Sequence, residues 1–302
     1  MSYKKSGGSP KVWLITGCSS GFGKVFIPSI TARGDRVVAT ARDIRSLDEF
    51  ASHENIRLLE LDVTQPRKAL KEAVKQAISF FGHIDVLVNN AGYVLSGVWE
   101  ELSEIEITRQ FHTNVLGPLD LTTALLPHMR SRGTGTIIFM SSIAAWRGVA
   151  VGGAYSASKF ALEGAAESLQ KEVEPFGLQV HVAVLGQFRT SILNSNRRLV
   201  SRSTRPLGEY DSAIQACLSR LEKTDGKQVG DPLKAVERIV DLVYHTGYFA
   251  ELQRIPLRIF LGSDAMNIVR GECQSILDDI IRQEKVGRST DFDDAKPSLP
   301  YN

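Results

Sequence analysis

Apolar residues along this chain fall into short, nearly continuous runs separated by longer stretches with helical spacing. The runs are Lys11–Thr16, Arg36–Ala41, Ile56–Leu61, Ile84–Asn89, Thr136–Met140 and Leu178–Val184, each rich in Val, Ile and Leu. Continuous rather than alternating polarity is the pattern of a parallel strand covered on both faces. Between the runs lie segments with helix signals. Pro66–Phe81 has a proline at its start and Gly82 just past its end, the usual asymmetry of a helix. Ser103–Arg130 predicts one long helix bent at Pro118, and Gly153–Pro175 an Ala-rich amphipathic helix. Strand–helix alternation of this kind predicts an α/β fold: a Rossmann-type, doubly wound, mostly parallel sheet of about seven strands flanked by helices.

Beyond Thr190 the rhythm breaks. Ser191–Leu207 carries Arg197, Arg198, Arg202 and Arg205 and no acidic residue, which predicts a loop or mobile lid, with the substrate lid spanning about 190–225. Its arginines suit either a solvated loop or an acidic substrate. A helix from Pro232 to His245, a strand near Pro256–Leu261 and a helix from Ala265 to about Glu284 follow as a C-terminal helical extension. No linker or repeat divides the chain. The expected organisation is a flexible tail over 1–10, one dinucleotide-binding and catalytic domain over 11–285, and a surface tail over 286–302.

Composition narrows the function classes. With 302 residues, a net charge of +2 and 23% charged residues, the chain can bury a large core and lacks the basic excess of a nucleic-acid partner. No run of about 18 apolar residues suggests a membrane span, and the polar N-terminus has no apolar stretch of a signal peptide. Cys18, Cys217 and Cys273 show no metal-ligand spacing. The expectation is a cytoplasmic protein with reduced thiols, no metal, no nucleic acid and no membrane.

The candidate chemistry begins at Thr16-Gly17-Cys18-Ser19-Ser20-Gly21-Phe22-Gly23, directly after the first strand and opening a helix. Glycines there let the backbone approach a pyrophosphate, whose charge a helix N-terminus favours. A second feature is the pair Tyr155 and Lys159, four apart and so on one helix face. A free tyrosine has a pKa of about 10 and is a poor acid or base near neutrality, and a neighbouring ammonium favours its phenolate.

The spacing T-G-x-x-x-G-x-G resembles the cofactor loop of the short-chain dehydrogenase/reductase family. Leu61-Asp62-Val63-Thr64, Asn89-Asn90-Ala91-Gly92 and Tyr155-Ser156-Ala157-Ser158-Lys159 match the family in order, over roughly residues 11–190. The resemblance implies an enzyme acting on a CH–OH group by hydride transfer. It implies that the loop residues Gly17, Ser19, Ser20, Gly21, Phe22 and Gly23 hold the cofactor. Asp62 and Val63 would contact adenine, Asn89 with the Ala91-Gly92 backbone would line the adenosine ribose and stiffen the sheet, and Phe188 and Thr190 would reach the nicotinamide end. Asn114, Ser142, Tyr155 and Lys159 resemble the family's catalytic set. Ser142 would orient the substrate oxygen, Tyr155 would exchange its proton, and Asn114 would link Lys159 to solvent through a water. Ser141, the neighbour of Ser142, would point to the opposite strand face.

Two departures stand out. Leu185 occupies the place of a proline in the turn before Thr190, which predicts a looser turn, and Pro28 falls inside the first helix. The tip of the second strand, Val38–Asp43, bears on the cofactor. Arg42 suits the 2′-phosphate of NADP, whereas Asp43 suits the ribose hydroxyl of NAD or the N-cap of the next helix. Ser20 stands where many NADP-using relatives carry a basic residue. NADP is expected, with NAD the alternative.

Tyr93, Leu95, Trp99, Trp146, Val149 and Val151 suggest an apolar pocket, core or subunit contact. The run Tyr155–Gly164 resembles the hydroxysteroid and retinol dehydrogenase branch, which implies a bulky, apolar alcohol or carbonyl substrate. The helices around 103–130 and 153–175 resemble those that pair between subunits, implying a homodimer or homotetramer. Two other readings share the scaffold: a cofactor-binding regulator without turnover, and a lyase or isomerase.

Overall fold

The computed structural model describes residues 9–193, 199–201 and 206–292. Seven strands form one parallel sheet: β1 (Val12–Ile15), β2 (Arg36–Ala41), β3 (Ile56–Glu60), β4 (Val86–Asn89), β6 (Gly135–Met140), β7 (Leu178–Leu185) and β9 (Arg258–Leu261). Their order in space is β3-β2-β1-β4-β6-β7-β9, all neighbours parallel. The order reverses between β1 and β4, and a crevice opens at the C-terminal ends of strands at such a switch point.

Both faces of the sheet are buried, which explains the unbroken apolar runs. From β1, Trp13 and Ile15 join the core on one face, beneath α1 (Gly21–Thr31) and α7 (Pro232–Tyr244). Val12 and Leu14 join the core on the other, beneath α2 (Arg67–Phe81), α4 (Gly117–Arg132) and α5 (Gly153–Val173). Gly82 ends α2 in the left-handed conformation, its N–H returning to Ile78 at 2.7 Å. Pro28 lies in the last turns of α1, which continues through it to Thr31.

The predicted single helix over 103–130 is two. Ser103 caps α3 (Glu104–Phe111) in a capping box with Glu106, and a π-turn over His112–Leu116 joins it to α4. The break therefore precedes Pro118, which sits in the first turn of α4, where a missing N–H is tolerated. The π-turn is closed by the Gly117 N–H on the His112 carbonyl. A side chain at Gly117 would meet the Val63 carbonyl at 2.6 Å, so the turn lies directly on the β3–α2 connection.

The region beyond Thr190 holds more regular structure than the sequence pattern predicts. Leu199–Val200 (β8) pairs in parallel with Leu95–Ser96 (β5) as a separate two-stranded sheet. Asp211–Thr224 forms α6, which packs through Tyr210, Ala213, Ile214 and Cys217 on Val98 and Val151. Arg197, Arg198, Arg202 and Arg205 lie outside the described residues. The last helix, α8, runs over Ser263–Arg288, four residues longer at its end than predicted. Among the described residues, no helix is long and apolar enough to cross a membrane, and no group of His, Cys, Asp and Glu could hold a metal ion.

Candidate active site

A cleft of about 790 Å³ opens at the switch point. Its walls are the Gly17–Phe22 loop, the tip of β2 at Ala41 and Arg42, Leu61–Thr64, Asn90–Tyr93 and Thr190–Ile192. The loop glycines are required by geometry. Gly17 has φ +71°, and a side chain on it would lie 2.9 Å from the Ala91 Cα. A side chain on Gly23 would collide with the Gly17 carbonyl. Ser20, at the N-cap of α1, makes no side-chain cap bond, so the free N–H groups of the first turn face the cleft. Thr16 stitches this loop to the next: its hydroxyl accepts the Asn90 and Ala91 N–H groups at 2.9 Å each. The Asn90 amide returns to the Thr16 carbonyl at 2.8 Å and the Gly17 carbonyl at 3.1 Å. A glycine cradle, an uncapped helix start and a cleft of this size together fit a dinucleotide.

Two predicted cofactor contacts are placed elsewhere. The Asn89 side chain is buried and donates to Thr122 Oγ1 at 3.0 Å, so it stiffens the sheet without lining the cleft; Asn90 takes the cleft position. Side chains alternate along a strand, and β4 ends with Asn89 on the inner side. Phe188 is also buried, edge-on to Phe22 at 5.3 Å, and supports the loop from behind. Thr190 does line the cleft. The turn before it is pinned, contrary to the looser turn expected from Leu185. Gly186 N–H bonds the Leu261 carbonyl at 2.9 Å, and Gln187 N–H bonds an Asp264 carboxylate oxygen at 2.7 Å. Asp264, at the start of α8, does what a proline would do by restricting the turn.

At the tip of β2, Arg42 lines the cleft. Asp43 is occupied: it caps the following turn through Arg45 N–H at 3.1 Å and pairs with the Arg45 guanidinium at 2.8 Å. That hydrogen bond holds its carboxyl below the usual range. Asp62 accepts the Thr64 N–H at 2.9 Å and its hydroxyl at 2.7 Å, which fixes the turn at the cleft wall.

Asn114, Ser142, Tyr155 and Lys159 cluster behind Gly92, a residue of the cleft wall. Ser142 follows β6 and caps a short helical turn through Ala144 N–H at 3.2 Å. Tyr155 and Lys159 project from one face of α5, the ammonium 5.7 Å from the tyrosine ring centre. Burial pushes the Tyr155 phenol up, and the neighbouring Ser142 hydroxyl pulls it back. Lys159 is buried, its Nζ donating to the Met140 carbonyl at 2.8 Å. Burial lowers its pKa to about 8, against an opposing attraction from Glu163. Asn114 sits within the π-turn, buried, its amide donating to the Tyr93 carbonyl at 3.1 Å and to Ser158 Oγ at 3.2 Å. π-turns interrupt helices at functional positions often enough to mark this one. Gly92 joins the two regions, since a side chain there would lie 3.2 Å from Asn114 Oδ1 and 3.9 Å from Lys159 Nζ.

Ser141 turns away from Ser142, as expected, and donates to Glu163 Oε1 at 2.7 Å. Glu163 Oε2 accepts from Arg258 Nε at 2.8 Å, and Arg258 also reaches Glu167 at 2.7 Å. Sequence reasoning missed this buried group, although its position one turn after Lys159 is a readable signal. It also missed Arg109, His112 and Thr113, which line the cleft from the end of α3 and the start of the π-turn. Of the apolar candidates, Leu95 and Val151 are core, and Trp146 packs edge-on to Phe260 at 5.7 Å. Trp99 remains exposed at 56%, against the start of α5. Val151 adopts φ +66°, a strained conformation for a β-branched residue, four residues before Tyr155.

The fold and this site define a Rossmann-type oxidoreductase built around a nicotinamide cofactor. Residues 11–200 match the family model described as short chain dehydrogenase, and the chain belongs to that family. A 3-ketodihydrosphingosine reductase of Bacteroides thetaiotaomicron is 38% identical over 219 residues, covering 72% of this chain and 77% of its own. Human retinol dehydrogenase 5 is 32% identical over 248 residues, covering 76% and 71%. A short-chain dehydrogenase from Streptomyces avermitilis superimposes with TM-score 0.82 at 35% identity, covering 95% of this chain and all of that one. A Burkholderia cenocepacia short chain dehydrogenase in complex with NADP shares the fold at TM-score 0.67 and 22% identity, covering 90% and 97%.

Proposed function

We propose that this protein is an NADP(H)-preferring carbonyl reductase that interconverts a secondary alcohol and a ketone on a bulky, apolar small molecule. The observation that carries this reading is the Lys159 ammonium 5.7 Å from the Tyr155 ring, with the Ser142 hydroxyl near enough to the phenol to lower its pKa. A bound nicotinamide cofactor supplies the hydride in reduction and accepts it in oxidation. Gly17, the uncapped start of α1 and Asn90 would hold its phosphates and ribose, and Thr190 would meet its nicotinamide end. Arg42, on the cleft wall, would bind the 2′-phosphate, and Asp43 offers no competition because Arg45 engages it.

Ser142 orients the substrate oxygen beside the Tyr155 hydroxyl. Tyr155 donates its proton to that oxygen in reduction and removes one in oxidation. Lys159, charged at neutral pH with a pKa of about 8, favours the phenolate left after transfer. Asn114 and Lys159 meet at Gly92, where the relay returns the proton to solvent. Tyr93, Ile192 and Leu199 supply apolar surface at the mouth. The similarity to a 3-ketodihydrosphingosine reductase and to a retinol dehydrogenase supports a bulky apolar substrate.

The test is oxidation of NADPH and NADH, followed by absorbance, against long-chain 3-ketones, cyclic ketones, quinones and aldehydes, with Tyr155→Phe alongside. Turnover that prefers NADPH and ketones and vanishes in Tyr155→Phe is the expected result. Tight cofactor binding without turnover on any carbonyl would overturn it.

A further inference from the structure

The face of α8 beyond the body of the molecule has a pattern that calls for a partner. Ala265 and Val269 are buried against the domain, but from Cys273 to Arg288 every residue except Asp278 is exposed. This stretch extends about 24 Å at the rise of an α-helix. It carries Cys273, Ile276, Leu277, Ile280 and Ile281 on one face, with the isoleucines and leucine 54–70% exposed. Asp278, Arg282 and Lys285 lie on the opposite face. A helix of this length standing in water is marginal without an apolar surface to pack on.

We propose that α8 pairs antiparallel with α8 of a second copy of this chain, about a two-fold axis at Leu277. The spacing supports that occupant. Cys273 and Ile280 are seven apart with Ile276 between them, and Arg270, Leu277 and Glu284 form an adjoining row seven apart. Antiparallel pairing sets Leu277 against its own mate, Ile276 beside the partner's Ile280, and Cys273 beside the partner's Ile281. The same register places Arg270 opposite the partner's Glu284, twice by symmetry, beside the Arg288 that Glu284 engages in its own helix at 2.9 Å, so two cations share one carboxylate. On the other flank Asp279 keeps its own Arg282, 3.2 Å away.

A bilayer is a poorer occupant. From Glu272 to Arg288 the helix has four acidic residues and three basic ones, without the cationic excess of a membrane-surface helix. This contact is separate from the α3–α4 and α5 surfaces and independent of the reaction proposed above.

Light scattering and sedimentation of the full chain test the pairing. The expected mass is twice the 33.2 kDa chain or more, and Leu277→Arg halves it while the circular dichroism spectrum keeps its shape. Ile281→Cys, with Cys273 present, is expected to form an intermolecular disulfide under mild oxidation. Cys273→Ser in that background abolishes it. A monomeric chain, a mass unchanged by Leu277→Arg, or no cross-link in Ile281→Cys would each overturn the proposal. So would a monomer that floats with phosphatidylcholine vesicles, which would assign the face to a bilayer.

Discussion

Ser141 and Glu163, both buried, share a hydrogen bond of 2.7 Å that ties the end of β6 to the middle of α5. The first element delivers Ser142 and the second delivers Tyr155 and Lys159, so the bond ties together the two halves of the proposed catalytic group. Arg258, from β9, closes the arrangement on Glu163 at 2.8 Å.

Glu163→Ala is therefore expected to unfold more easily, by about 3 kcal/mol, since it leaves a buried hydroxyl and a partly buried guanidinium short of a partner. It is also expected to lower kcat by about tenfold or more through misplacement of Ser142, with the NADPH dissociation constant unchanged. Glu163→Gln, which can still accept from Ser141, is expected to recover most of kcat. Denaturant unfolding, steady-state kinetics and cofactor titration of the two variants separate these effects. A kcat that stays at the wild-type value in Glu163→Ala would show that the bond does not position the site.

The sheet and the pairing of Tyr155 with Lys159 were legible in the chain for a physical reason. Strands buried on both faces, such as β1 and β7, must be apolar throughout, and Tyr155 and Lys159 lie on one helix at i and i+4. What lay hidden depends on contacts between distant segments. Nothing local to Leu199 announces that it pairs with Leu95. The π-turn at Asn114 follows from packing against Val63 and Tyr93, and a periodic pattern reads it as continuous helix. The Asn89 and Asn90 side chains exchange roles because the strand ends between them. Asp264 comes from 78 residues beyond Gly186 to hold its turn, so a missing proline at Leu185 was a misleading local signal.

Lys159 sets a pH-dependent conflict between stability and activity. Its folded pKa of about 8 lies below the 10.5 of a free lysine, so the unfolded chain binds more protons between those values. Its charge thus opposes folding below pH 8, and that penalty fades as pH rises from 8 towards 10.5. Lys159→Met is expected to be more stable than wild type at pH 7 by about 2 kcal/mol, after allowing for the lost bond to Met140. The gap should close by pH 10, while turnover is lost at every pH. Paired urea melts at pH 7 and 10 measure the difference, and a gap independent of pH would contradict the assignment.

Gly17→Ala and Gly133→Ala separate backbone strain from a collision. Both glycines have positive φ, +71° and +65°, but only Gly17 has Ala91 within 2.9 Å of an added Cβ; Gly133 has nothing within 4 Å. Gly133→Ala is expected to cost about 1 kcal/mol and leave cofactor binding intact. Gly17→Ala is expected to cost more, about 2–3 kcal/mol, and to weaken NADPH binding at least tenfold by moving the Asn90–Gly92 loop. Thermal melts with and without NADPH distinguish the two, because ligand stabilisation should survive only in Gly133→Ala.

Arg42 provides the sharpest test of cofactor preference. It lines the cleft at the tip of β2, while Asp43 beside it is engaged by Arg45 at 2.8 Å. A guanidinium on a 2′-phosphate contributes about 1.5–3 kcal/mol through charge-assisted hydrogen bonds, a factor of roughly ten to a hundred in affinity. NADH has no phosphate there, so Arg42→Ala is expected to weaken NADPH by that factor and leave NADH within twofold. Because Arg42 is exposed, salt screens the interaction, and the wild-type preference should narrow between 50 mM and 500 mM salt while that of Arg42→Ala stays flat. Fluorescence titration of both cofactors at both salt concentrations reads this directly. Equal losses for NADPH and NADH would mean that Arg42 supports the cleft wall without reading the phosphate, and the preference for NADP would then need another cation, for which Arg109, also on the cleft wall, is the candidate.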